Sequence, residues 1–146
     1  MNDNQIIEKA LQIIESRLAV PGQLIDSPET VASFLKIKLA TQEREVFAVI
    51  MLDNRHRVID YQELFFGSIA SATVNPREVV KAALYANAAA VVLAHNHPSG
   101  IAEPSQADIR ITEQLTSALD LIETRVLDHF VIGGMTHYSF NEHGLI

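Results

Sequence analysis

The sequence predicts an α/β fold, a mixed β-sheet flanked by helices with a short helical preface. Three observations predict it. Two continuous apolar runs of strand length, 46–52 and 88–94, alternate with segments whose apolar residues recur at helical spacing. Those helical segments open on capping residues, and β-rich stretches at 58–66, 124–132 and 136–140 end in turn residues. The chain's 146 residues, 48% apolar and 20% charged, match one domain of ~150 residues and can bury roughly two-thirds of the unfolded surface. A single domain over 1–146 is expected, with 1–40 as its helical N-terminal region and 41–146 as its core.

In chain order, Ile6, Ile7, Ala10, Leu11, Ile14 and Leu18 lie on one face of an amphipathic helix that stops near Pro21-Gly22. Ser27-Pro28 is an N-cap followed by Pro at the first helical position, and Val31, Phe34, Leu35 and Leu39 make the stripe of a helix over 28–39. The two helices are either a preface or part of the domain's outer layer. The run 46–52 reads as a strand buried on both faces, and 58–66, ending at Gly67, as its antiparallel partner across a turn begun by Asp53-Asn54. Asn75-Pro76-Arg77-Glu78 opens an alanine-rich helix, expected to be buried through Val79, Val80, Ala83 and Leu84. A central strand at 88–94 then delivers His95-Asn96-His97-Pro98-Ser99-Gly100 at its C-terminal edge, where open α/β sheets tend to hold ligands. The helix opened by Ser105 offers Ile109, Ile111, Leu115, Leu119 and Leu121 for burial, and a hairpin around Gly133-Gly134 closes the chain.

Composition narrows the function. Eleven Lys plus Arg against eighteen Asp plus Glu give a net charge of −7, which repels phosphate backbones and makes nucleic acid an unlikely direct partner. The absence of cysteine excludes thiolate zinc sites, iron–sulfur clusters and a cysteine nucleophile. Any metal must therefore be held by His and carboxylate. The apolar run 86–94 falls far short of the ~20 residues of a membrane span, and a cytoplasmic protein is expected.

His95 and His97, two apart on an extended segment, present two imidazoles to one side, ~6.6 Å apart along the strand. Two His nitrogens and one carboxylate oxygen would leave Zn²⁺ an open fourth position, the mark of a catalytic site. Asp108 lies one short loop beyond, and Pro98, Gly100 and Pro104 can turn the chain back toward the histidines. The plainer alternative is that Ser105-x-x-Asp108 is only a capping box and the histidines only hydrogen-bonding polar residues. His129 reads first as a structural core residue, with orientation of a metal ligand as its second reading. His56, beside Arg55 and Arg57, reads as solvated, and His137 and His143 as surface residues.

The pattern His95-x-His97, seven residues, Ser105-x-x-Asp108 resembles the core motif of the JAMM (MPN/JAB-type) metalloproteases. Ala94-His95-Asn96-His97-Pro98-Ser99-Gly100, with Pro76-Arg77-Glu78-Val79-Val80 before it and Leu127-Asp128-His129 after it, is similar to the RadC-like branch. The likeness covers roughly 41–146. It implies the MPN/JAB-like, cytidine-deaminase-like α/β/α layering, with 41–146 as the catalytic core. It also implies that His95, His97 and Asp108 hold Zn²⁺, that Glu45 takes the proton from metal-bound water, and that Ser105 steadies the oxyanion. Hydrolysis of a peptide or isopeptide bond in a protein or peptide substrate follows. The same likeness carries an alternative, a DNA-repair-associated accessory protein without peptidase activity. By position alone Glu45 is not distinguished from Glu43, two residues away; only the resemblance selects it.

Overall fold

The chain's apolar runs become adjacent strands of one sheet. The computed structural model describes residues 1–17, 22, 24, 25, 27–67 and 73–146. Its elements are α1 (Asp3–Arg17), α2 (Pro28–Leu39), β1 (Val46–Leu52), β2 (Val58–Phe66), α3 (Pro76–Tyr85), β3 (Ala90–Asn96), α4 (Gln106–Leu121), β4 (Arg125–Gly133) and β5 (Thr136–Ser139). The sheet order is β2-β1-β3-β4-β5. The β1–β2, β1–β3 and β4–β5 pairs are antiparallel and β3–β4 is parallel, so the sheet is mixed as expected. The parallel pair needs a crossover, and α4 supplies it.

All seven residues of β1 and of β3 are buried, because alternate side chains of each strand meet helices on opposite faces. Val46, Ile50, Leu52, Ala90, Val92 and Ala94 pack with Phe34, Leu35 and Leu39 of α2. On the other face Phe47, Val49, Met51, Val91 and Leu93 pack with Val79 and Ala83 of α3 and Ile111, Leu115 and Leu119 of α4. α2 is thus a layer of the fold rather than a preface to it. α1 is peripheral: Ile14 touches the α2-side core, while Ile6 and Ile13 stay exposed. The expected stop of that helix at Pro21 lies outside the described residues.

Three expectations need correction. β3 runs two residues later than 88–94: Ala88 closes α3, its N–H donating to the Ala83 carbonyl at 2.9 Å after Asn87 turns through φ +56°, and Ala89 leads into the strand, its N–H donating to the Leu52 carbonyl of β1 at 2.8 Å. His95 consequently lies inside the strand, not beyond it. α3 buries only Val79 and Ala83 fully and leaves Leu84 59% exposed, so it is not the buried helix its alanines suggest. Leu121 of α4 is 87% exposed, since the last helical turn runs past the stripe of Ile111, Leu115 and Leu119 that meets the sheet.

Candidate metal centre

His95 is fixed by register before any other contact is considered. In β3 it pairs with Phe47 of β1 on one side and Val131 of β4 on the other, deep in the sheet with no exposed surface. His97 follows two residues later, its N–H donating to the Ile132 carbonyl at 2.8 Å, so strand-like pairing extends past the end of β3 and both rings share the α3–α4 face. Asp108 reaches the same point from the first turn of α4. The loop between them is held tightly: Gly100 N–H donates to the His97 carbonyl at 3.0 Å, and the backbone of 100–102 lies against Gly133, where a Cβ would come within 2.5 Å of the Ala102 nitrogen.

The capping box exists in full. Ser105 Oγ accepts from Asp108 N–H at 3.1 Å, and Asp108 Oδ2 accepts from Ser105 N–H at 2.8 Å. Capping and ligation are therefore not rivals, because the cap aims the carboxylate at the histidines. Asp108 Oδ1 lies 3.2 Å from His95 Nε2, Asp108 Oδ2 lies 3.0 Å from His97 Nε2, and the two Nε2 atoms are 3.1 Å apart. Donor atoms at 2.0–2.1 Å from a tetrahedral Zn²⁺ sit roughly 3.3–3.4 Å from one another, so small outward shifts suit a metal.

The hydrogen-bond network fixes what these nitrogens carry. Thr112 Oγ1 donates its single proton to the Asp108 carbonyl at 2.7 Å, so toward His129 Nδ1, 2.6 Å away, it accepts. His129 is then the Nδ1–H tautomer, and its Nε2 accepts from His95 Nδ1–H at 2.8 Å. His97 Nδ1–H donates to the Ile101 carbonyl at 2.8 Å. When neutral, both histidines thereby turn Nε2 lone pairs toward Asp108. Lone pairs of two imidazoles and a carboxylate at these distances repel unless a cation, proton or metal, lies among them. The residues fit a divalent metal on this ground.

The electrostatics agree. The Asp108 hydrogen bond is the main reason that His97 is held above its ordinary pKa; burial opposes it, while the Ile101 carbonyl and the charges of Asp108 and Glu45 support it. Burial works against the Asp108 charge, but hydrogen bonds from His95 and His97 and the Ser105 N–H hold its carboxyl well below the usual range. Burial pushes His129 well below its ordinary value, and the charge of His95 adds to that, so it stays neutral. Phe47 stacks on His95 at 6.2 Å and Phe140 on His129 at 4.7 Å, walling both rings. Of the three ligand candidates His97 shows the most side-chain surface to solvent, 16%, against 0% for His95 and 3% for Asp108.

Glu45 is half-buried immediately ahead of β1 and contributes its charge to His97. By strand alternation it belongs with Phe47 and His95 on the metal face, whereas Val46 faces α2. Ser105 is exposed at the N-cap; its acceptor role in the cap leaves the hydroxyl proton for another partner.

Some supporting residues escaped the sequence reading. Asn96 is 2% exposed and grips the chain around Glu45, with its Oδ1 accepting from Val46 N–H at 2.7 Å. Its position between two ligand histidines, on the opposite strand face, was the available signal. Thr112 and Gly133 carry none, since a helix threonine and a strand-end glycine acquire their roles only through tertiary contact. His129 combines both of its readings, a core residue that orients His95. Asp53 is turn chemistry as expected, its Oδ1 accepting from the N–H of Arg55 and Arg57 at 2.9 Å. His143 is exposed and stacks on Tyr138 at 3.9 Å, while His137 is half-buried rather than on the surface.

A mixed sheet that presents one histidine in an inner strand and a second just past its end to a helix-capping aspartate defines a domain of the JAB type with a candidate metal site. Residues 25–145 match the RadC-like JAB domain, and the chain belongs to that family. The match begins well ahead of residue 41, in keeping with α2 as a layer of the fold. A UPF0758 protein of Marinomonas sp. is 61% identical over 82% of this chain and 54% of its own length. A UPF0758 protein of Vibrio cholerae is 51% identical over 97% of this chain and 89% of its own, and UPF0758 protein YkfG of Escherichia coli K12 is 47% identical over 99% and 91%. The chain thus spans about half the length of the Marinomonas relative and most of the other two. Among the described residues no helix is long and apolar enough to cross a membrane.

Proposed function

We propose that this protein is a cytoplasmic zinc-dependent metallohydrolase that cleaves a peptide or isopeptide bond in a protein substrate. The observation that carries the proposal is the convergence of His95 Nε2, His97 Nε2 and the Asp108 carboxylate, with Nε2–Nε2, His95 Nε2–Oδ1 and His97 Nε2–Oδ2 distances of 3.0–3.2 Å. Two nitrogens and one oxygen without thiolate suit Zn²⁺ with one position left open. Bound there, Zn²⁺ lowers the pKa of water to about 7 and polarises a carbonyl.

The chain's own groups supply the rest. Glu45, whose charge acts on His97, is the carboxylate that would accept a proton and return it to a leaving amine. Ser105 holds Asp108 through the cap and offers its O–H to a developing oxyanion. His129 and the Ile101 carbonyl keep both imidazoles in the tautomer that binds.

The test is cleavage of a mixed pool of peptide and isopeptide reporters by the zinc-loaded protein, read by mass spectrometry for new termini. Wild type should cleave, and Glu45→Gln should retain zinc and lose about 10²–10⁴ in rate. Equal cleavage by the two proteins would remove Glu45 from the mechanism. Intact reporters together with salt-sensitive DNA binding would favour the DNA-associated accessory role.

A further inference from the structure

Asn96 stands between two metal-ligand candidates yet faces away from the metal. His95 lies on the α3–α4 face of the sheet, and by alternation Asn96 lies on the α2 face with Ala90, Val92 and Ala94. An amide side chain buried there to 2% must satisfy both its oxygen and its nitrogen. It does so entirely on the segment that carries Glu45. Oδ1 accepts from Val46 N–H at 2.7 Å, and Nδ2 donates to the carbonyls of Arg44 at 3.1 Å and Gln42 at 3.4 Å. Residues 44 and 46, on either side of Glu45, are thus clasped by one amide. Glu45's own carbonyl is held from the other side by Gly67 N–H at 2.8 Å.

This clasp takes over where the β1–β3 ladder ends. The last backbone pair is Phe47 with His95; one step further, Val46 meets the Asn96 side chain instead. Toward β3, the backbone at 42–45 has no ladder partner, and the Asn96 amide supplies the contacts there. We propose that Asn96 is a positioning residue that holds Glu45 over the His95–His97–Asp108 cluster, coupling the base to the strand that carries two of the ligands. The inference rests on the reading of Glu45 given above. It explains how one strand sets both halves of the site: odd positions aim imidazoles at the metal, and the even position between them holds the proton-accepting carboxylate in reach.

Asn96→Asp tests it with almost no change in shape. The variant keeps an acceptor for Val46 N–H but turns an oxygen toward the Arg44 and Gln42 carbonyls, which opens the clasp. Asn96→Ala removes both halves and carries the test should the aspartate variant not fold, with protection of the β3 amides from hydrogen exchange reporting the fold. The probe is Zn²⁺ alone, added to ¹³C,¹⁵N-labelled protein. The Glu45 carboxyl resonance is identified as the glutamate signal missing in Glu45→Gln. In wild type, Zn²⁺ should move that resonance and the His95 and His97 ring signals together. In the Asn96 variants the ring signals should still move, with zinc affinity within about threefold of wild type, while the Glu45 response is lost. A reporter-cleavage rate reduced about 10- to 100-fold, and no further reduced when Asn96→Asp is added to Glu45→Gln, should accompany it. An Asn96 variant whose Glu45 resonance still responds to Zn²⁺ as in wild type overturns the clasp alone. Wild-type ring signals indifferent to Zn²⁺ overturn the metal reading and this inference with it.

Discussion

At His97 a bound metal would compete with a proton. Its pKa is raised, first by the Asp108 hydrogen bond, while Asp108 stays ionised far below neutral pH. Metal must therefore displace a proton from His97 at any pH below that raised value. Zinc affinity should fall as pH falls, starting above the ordinary histidine value of about 6.5 and steepening to about tenfold per pH unit. Chelator competition across pH 5 to 9 measures it; an affinity flat over that range would show that His97 carries no proton to displace. In the metal-free protein the sign reverses. The raised pKa of His97 contributes stability that is complete below about 6.5 and lost as pH rises through the raised value. Ser105 separates two roles at one atom. Ser105→Ala should cost about 1 kcal/mol through the cap, read as a lower melting temperature, and should also slow reporter cleavage roughly 10²- to 10³-fold per folded molecule. A stability loss with unchanged turnover would leave Ser105 a cap alone. The three ligand candidates were legible because a His-x-His pair on a strand and a carboxylate at a helix start are local patterns. Glu45 was selected only through likeness, since Glu43 has the same local setting; in the fold Glu43 is exposed, whereas Glu45 is half-buried and its charge acts on His97.

At the scale of elements, the loop 97–104 and the end of β4 form one unit. Gly133 lets the backbone of 100–102 pass so closely that an added Cβ would meet three backbone atoms at 2.5–2.8 Å. Backbone cannot yield as a flexible side chain would, so Gly133→Ala should displace the Ile101 carbonyl from His97 Nδ1 and release that ring's tautomer. Zinc affinity should drop about 10- to 100-fold with the sheet intact, measured by chelator competition alongside circular dichroism. Wild-type affinity in Gly133→Ala would show that the loop adapts. Strand existence and order along the chain were readable from apolar runs and caps. The two-residue displacement of β3 was not, because Ala88 and Ala89 are as apolar as the strand, and only the hydrogen bond from Ala88 N–H to Ala83 ties that end of the run to the helix. Leu84 and Leu121 were over-read for a related reason: periodicity marks a stripe without saying how far the sheet beneath it extends.

On the scale of the whole molecule, the sheet divides labour between its faces. The inner strands β1 and β3 present apolar residues and the Asn96 amide toward α2, while toward α3 and α4 an apolar patch gives way to His95, His97 and Asp108 where β3 ends. A net charge of −7 spread over this molecule opposes phosphate backbones. Anisotropy measured with labelled duplex DNA at low salt should show no binding, and affinity that falls steeply with added salt would contradict that expectation. The central claim is that His95, His97 and Asp108 together hold one zinc ion. Metal analysis of untagged protein reconstituted with Zn²⁺ and then freed of excess metal tests it most directly. The account predicts about one Zn²⁺ per chain in wild type and essentially none in His97→Ala; a zinc content in His97→Ala equal to that of wild type would contradict it.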